Sequence, residues 1–377
     1  MRLAVPAEPE GERRVAITPQ MALRLVEQRH SLRVERGAGA GAGFSDDDYV
    51  AAGAEVTSDP FDDAEVVLVI GPPSLVQVGR IPEGATLIGF LDPFGAHDLI
   101  KELTDRNIKS FAMEAIPRST VAQSMDALSS QATAAGYAAV LAAATASPRI
   151  FPMLTTAAGT IPPVKVLVLG AGVAGLHAIA TSRRLGAVVS AYDIRPEVRE
   201  QIESLGAKFI PAPVDESAAT ASGYAKEVSD ETQRRQMDAL APHVANADVV
   251  LTTAQIPGQE APLLISREMV EAMRPGSVVV DVAAPGGGNC EVTEPGKTVS
   301  HKGVTVIGPL DLPGRVAVDA SQMYARNIVT FLDRMTDDEA RFAPDFDDEV
   351  ISEACITHSG RVVHPVVRRI HHLDEQA

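Results

Sequence analysis

Residues 170–175 read Gly-Ala-Gly-Val-Ala-Gly, a GxGxxG spacing set between an apolar run, Lys165 to Leu169, and a helical stretch from Leu176 to Leu185. Each glycine has its own physical reason. Gly170 permits a tight turn after a strand, Gly172 lets a pyrophosphate approach the backbone, and Gly175 lets the helix pack close to the strand. The helix N-terminus, from Val173 on, offers free N–H groups to phosphates. A second β-rich run, Ala187 to Tyr192, ends in Asp193, where an acid accepts hydrogen bonds from ribose hydroxyls. The turn alone is a weak signal. Strand, glycines, helix, strand and terminal acid in this order point to a dinucleotide site within residues 164–193. The acid repels a 2′-phosphate and so favours NAD. Arg195 leaves an alternative open, as a partner for a 2′-phosphate that admits NADP or as a solvated loop arginine. A second glycine cluster, Gly37 to Gly43, precedes Asp46, Asp47 and Asp48, acids that oppose a phosphate, and it reads as a structural turn.

Two series of short β-rich runs surround these residues. The first comprises Arg2 to Val5, Leu32 to Glu35, Val66 to Ile70, Thr86 to Phe90 and Ser110 to Glu114. The second starts at Val164 and continues through Lys208 to Pro211, Asp248 to Thr253, Ser277 to Val282 and Val304 to Gly308. Strands alternating with helical patterns predict parallel sheets. The expected fold is α/β, with two Rossmann-like parallel-sheet domains joined by long helices and the dinucleotide site on the second. The expected boundaries are 1–126 for the first domain, completed by 313–377 returning to it, and 127–312 for the second. The uncharged stretch from Ala127 to Pro148 is long enough to span a bilayer, but it is mostly Ala, Ser and Thr and contains Gln131, which favours a helix between domains.

The chain has 377 residues, 45% of them hydrophobic, and 33 Lys and Arg against 50 Asp and Glu give a net charge of −17. That charge repels phosphate backbones and anionic lipid head groups, so no nucleic acid and no direct membrane insertion are expected. Cys290 and Cys355 have neither metal-ligand spacing nor the density of a disulfide scaffold, and Arg2 to Val5 followed by charges is not a signal peptide; both suit the cytoplasm. The nine histidines show no metal pair at a convincing spacing, so no metal site is expected, and His371-His372 reads as a disordered tail.

Several strings carry a family resemblance: RLAVPAEPEGERRVAITP, ERGAGAGAGFSDDDYVAAGA, AMEAIPRSTVAQSMDALSSQATAAGY, FPMLTTAAGTIPPVKVLVLGAGVAGLHAIATSRRLGA, then ESLGAKF, SGYAKE, QIPG, GGGNCEVTEPGK and SGRVVHP. Together they resemble, over almost the whole chain and in order, the NAD(H)-binding component of proton-translocating nicotinamide nucleotide transhydrogenase. RSTVAQSMDALSSQ is the most family-specific. The resemblance implies that Arg118, Gln123, Asp126 and Ser129 lie beside the nicotinamide end; without it, the segment reads as a polar helix start in which Ser or Asp caps the helix. It also implies dinucleotide contacts from Ala171 to Val173, from Asp193, Ile194 and Arg195, from a loop at Gly223 and Tyr224, from Gln236, and on the adenine side from Gln255. At Gln255 the family usually has an apolar residue.

The resemblance further implies a division of labour. NADH on this chain passes hydride directly to NADP⁺ held by a partner subunit, and a membrane-embedded component moves the proton. The chain would be a homodimer, cytoplasmic, and peripheral at the inner face of the membrane through its partner, as in the split form of the alpha subunit. The principal rival is soluble alanine dehydrogenase. Oxidising an amine releases a proton as well as a hydride, so its pocket needs a base and a cation. The Lys, His and Asp that serve there fall at Gly71, Asp92 and Pro285 in this chain, whereas Arg14 is common to both families. A third reading is an NAD-binding regulatory module without chemistry.

Overall fold

The computed structural model describes residues 1–213, 230–255 and 260–373. In chain order the first six strands are β1 (Arg2–Val5), β2 (Ser31–Glu35), β3 (Glu55–Thr57), β4 (Val66–Leu68), β5 (Thr86–Gly89) and β6 (Lys109–Ala112). An exposed hairpin, β7 (Leu154–Thr156) and β8 (Gly159–Ile161), precedes β9 (Lys165–Leu169), β10 (Val188–Asp193), β11 (Lys208–Pro211), β12 (Val249–Thr252), β13 (Val278–Asp281), β14 (Thr298–His301) and β15 (Val304–Ile307). The last strands are β16 (Cys355–His358) and β17 (Arg361–Val362).

The strands form two large sheets, ordered β17-β16-β6-β5-β4-β1-β2-β3 and β11-β10-β9-β12-β13-β15-β14. Pairing is parallel from β3 to β6 and from β11 to β15; only β16, β17 and β14 are added antiparallel. Central strands such as β12 and β13 are apolar along their length and buried at every residue, as a sheet covered on both faces requires. In both sheets the strand order reverses beside the first strand, between β1 and β4 and between β9 and β12, and ligands of open α/β sheets bind at such switch points.

The chain divides into two compact units: Met1–Gln131 together with Pro313 onward, and Ala132–Leu312. The 20-residue helix Ala127–Ala146 runs from one unit into the other. In the first unit the helix Ala317–Arg334 returns to β1–β6: the buried Tyr324 hydroxyl donates to Val69 O at 2.7 Å, and Asn327 donates to Ser124 O at 2.8 Å. The Gly37–Gly43 segment is a structural turn. A Cβ at Gly39 or Gly41 would lie 2.7 Å from the Tyr49 ring or Arg13 O, and Ser45 and Asp48 form a capping box that occupies the following helix N-terminus. His371 differs from its sequence reading: its Nε2 lies 3.0 Å from Pro93 O and its ring stacks 4.0 Å from His97, so folding brings together two histidines far apart in the chain.

Candidate dinucleotide site

Strand β9 is buried from Val166 to Leu169 and delivers the chain to Gly170, whose φ of +92° suits glycine. A Cβ on Gly175 would sit 2.0 Å from Gly170 O, an impossible overlap with backbone, so this glycine is required for the helix Val173–Arg184 to start against the strand. Gly136 of the long helix is equally constrained, 2.2 Å from Ala174 O. Gly172 is different. A Cβ there meets nothing within 4 Å, so no protein neighbour forbids a side chain. The helix that follows has no side-chain cap, and its first amides face that open space. Close-packed glycines on either side of an open one suit a pyrophosphate lying against Gly172 and Val173.

Asp193, at the end of β10, is buried and more heavily bonded than the sequence suggests. Its Oδ2 accepts from Ala171 N at 2.7 Å and from Arg195 Nη2 at 2.9 Å, and its Oδ1 accepts from Arg195 N and Nε, both at 2.9 Å. The carboxylate thereby ties the glycine turn to β10, and its hydrogen bonds hold the Arg195 guanidinium above its ordinary basicity. Arg195 is thus not a merely solvated loop arginine. A ribose approaching Asp193 meets a guanidinium already paired to it.

The other expected contacts of the second unit separate. Ile194 and Arg195 are half-buried at the strand end, Gln236 is buried in the helix Asp230–Asn246, and Gln255 is exposed beyond β12. Gly223 and Tyr224 lie outside the described residues. In the first unit, Gln123 opens a short 3-10 turn, Gln123–Met125, and is exposed, as is Arg118. Asp126 and Ser129 come together: Asp126 Oδ1 accepts from Ser129 N at 2.9 Å, and Oδ2 from the Ser129 hydroxyl. Asp126 therefore caps the long helix, satisfying one of its orphan donors.

Sequence reasoning missed two buried acids at the C-terminal edge of the first sheet. Glu8, beyond β1, accepts from Ile70 N at 2.6 Å and Gly71 N at 3.2 Å; Glu114, beyond β6, accepts from Leu91 N and Asp92 N at 2.8 and 2.7 Å. Burial outweighs these bonds and pushes each carboxyl up to about 7. Gly71 and Asp92, the positions aligned with the alanine dehydrogenase lysine and histidine, thus have their backbones clasped by carboxylates. Arg14 is engaged as well, by Glu12 through Nε and Nη2 and by Gln131 through Nη1 at 2.7 Å. An acid directly after a β-rich run was the available signal for Glu8 and Glu114; their partners, 20 to 60 residues away, were not.

A doubly wound sheet with this turn and terminal acid, joined in one chain to a second sheet that reverses its order in the same way, defines a two-unit α/β protein of the dinucleotide-binding class. Family models described as "Alanine dehydrogenase/PNT, N-terminal domain" and "Alanine dehydrogenase/PNT, C-terminal domain" match residues 4–135 and 139–365. The chain belongs to the alanine dehydrogenase/PNT family, which implies binding of a nicotinamide dinucleotide. It is 45% identical to the first of the split NAD(P) transhydrogenase alpha-subunit chains of Rhodospirillum rubrum, over 97% of this chain and 99% of that one. It is 41% identical to the NAD(P) transhydrogenase subunit alpha of Haemophilus influenzae, over 97% of this chain but 72% of that one. Among solved structures, a transhydrogenase from Sinorhizobium meliloti superposes with a TM-score of 0.87 at 44% identity, covering 96% of this chain and 99% of that one. L-alanine dehydrogenase superposes at 0.82 with 27% identity and complete coverage of both chains.

Proposed function

We propose that this chain is the NAD(H)-binding subunit of a proton-translocating NAD(P) transhydrogenase, exchanging hydride directly between NADH and NADP⁺ held by a partner subunit. The observation that carries the reading is the 45% identity to the Rhodospirillum rubrum transhydrogenase alpha chain across 99% of that protein, against 31% to an alanine dehydrogenase from Halomonas elongata. NAD(H) is here a substrate rather than a resident cofactor, and the hydride comes from its dihydronicotinamide.

The residues then have positioning roles. The amides at Gly172 and Val173 hold the pyrophosphate, with Gly170, Ala171 and Gly175 shaping the turn, and Asp193, flanked by Ile194 and Arg195, holds the adenosine ribose. Arg118, Gln123, Asp126 and Ser129 orient the nicotinamide end; Gln236, Gln255, Gly223 and Tyr224 complete the contacts. No general base is needed, because donor and acceptor exchange only a hydride and orientation is the whole task. Gly71, Asp92 and Pro285 accordingly supply none of the acid–base groups that amine oxidation requires.

Among the described residues no helix is long and apolar enough to cross a membrane. The proton path and the NADP(H) site would then belong to membrane-embedded partner subunits, with this chain, as a homodimer, docked on their cytoplasmic side and coupled to them by conformational change. The test is to assay the purified chain with NADH, alone and with the partner. Reduction of an NADP⁺ analogue that requires both proteins supports the reading. Turnover of alanine by the chain alone contradicts it, and NADH binding without any transfer favours a regulatory module.

A further inference from the structure

The Pro-Gly-Gly-Gly-Asn segment, residues 285–289, follows β13 and folds back onto its last residue. That residue, Asp281, is fully buried and accepts five hydrogen bonds: from Thr252 Oγ1 and Ala283 N, and from Asn289 N, Cys290 N and Thr293 Oγ1. Gly287 and Gly288, at φ +101° and +87°, bring Asn289 to it, and a Cβ on Gly288 would lie 2.7 Å from Asp281 Oδ2. Asn289 is itself fully buried. Its side chain pairs with Ala254 as a second backbone would, Oδ1 accepting from Ala254 N at 3.1 Å and Nδ2 donating to Ala254 O at 2.9 Å. The same Nδ2 donates to Pro262 O at 2.8 Å, and Asn289 O accepts from Leu264 N and Ile265 N. Ala254 in turn lies against the glycine turn: Thr253 Oγ1 donates to Gly170 O at 2.9 Å, and a Cβ on Gly170 would lie 3.0 Å from Ala254 N.

We propose that Asn289 is a positioning residue of the dinucleotide site, fixing the Thr253–Ala254 segment against Gly170 and so setting where the pyrophosphate-binding turn lies. This rests on the dinucleotide reading of the turn. The amide is specifically required. Aspartate lacks both donors, serine is too short to reach Ala254 and Pro262 together, and glutamine adds a methylene in a fully buried position.

The test measures binding of NADH, ADP-ribose and adenosine to the full-length protein and to Asn289→Asp, Asn289→Ala and Thr253→Val, with thermal melting as the control for folding. Thr253→Val breaks only the contact to Gly170 and reports even if the Asn289 variants fail to fold. The expected result is a tenfold or greater weakening for NADH and ADP-ribose with adenosine unchanged, because only the first two carry the pyrophosphate. A merely structural role would weaken all three in step with the loss of melting temperature. Folded variants that bind NADH within twofold of the wild type overturn the proposal if Asp193→Ala weakens it. If Asp193→Ala is also without effect, the dinucleotide reading itself has failed.

Discussion

Substituting Gly172 and Gly175 by alanine separately should give opposite phenotypes. At Gly175 the new methyl falls 2.0 Å from Gly170 O and 2.9 Å from Gly170 C, and both obstacles are backbone. The helix must shift by more than 1 Å, roughly, to restore van der Waals contact, and such overpacking costs about 1–3 kcal/mol or more. At Gly172 the methyl meets nothing within 4 Å and the backbone, at φ −72° and ψ −167°, is open to any residue. The stability cost there is that of replacing glycine by alanine at a helix N-cap, about 1 kcal/mol or less. That same open space is where the pyrophosphate approaches the chain. A methyl in it should weaken NADH binding at least tenfold, equivalent to about 1.4 kcal/mol. Thermal melting of the unliganded variants and titration with NADH separate the two effects. Gly172→Ala should melt near the wild type and bind poorly; Gly175→Ala should melt markedly lower. Wild-type NADH affinity in Gly172→Ala would refute the placement of the phosphates.

The remaining predictions concern charge and orientation. Glu114 is raised from 4.5 to about 7 by burial, so the folded state holds its proton longer than the unfolded chain. Stability from this group is therefore present below about pH 4.5 and lost as pH rises to about 7, by roughly 3 kcal/mol at most. Glu114→Gln keeps an oxygen for Leu91 N and Asp92 N and should flatten melting temperature against pH in that window; an unchanged slope would exclude Glu114 as its source. Arg195→Ala removes the cation nearest a 2′-phosphate and should raise the preference for NADH over NADPH about tenfold, measured by paired titrations; a lower preference would contradict the charge assignment. Gln123→Ala should slow hydride transfer more than it weakens NADH binding, which stopped-flow and equilibrium titration distinguish; unchanged transfer would remove Gln123 from the nicotinamide end.

What the sequence revealed and what it hid follow from the range of the interactions. The strand, turn, helix and acid of residues 164–193 are contiguous, and their glycine requirements are local, so the segment was legible as it stood. The returning helix Ala317–Arg334 announced itself by periodicity. The state of Asp193 did not, because a terminal acid reads the same whether its carboxylate is open or shared between Ala171 N and Arg195. Asp126 shows a different ambiguity: capping and cofactor contact draw on the same residue types, and the capping bond from Ser129 N leaves the second role to experiment. Glu8, Glu114, Asp281 and Asn289 were silent for a common reason. Each works by accepting or donating to backbone groups on another strand end, and backbone partners leave no mark on sequence.

The central claim is that a hydride passes directly from NADH on this chain to NADP⁺ on a partner. Dihydronicotinamide deuterated at C4 should transfer its label to C4 of NADPH when the chain and its partner are combined, without exchange into water. Label lost to solvent, or delivered to a carbonyl substrate by the chain alone, would contradict the account.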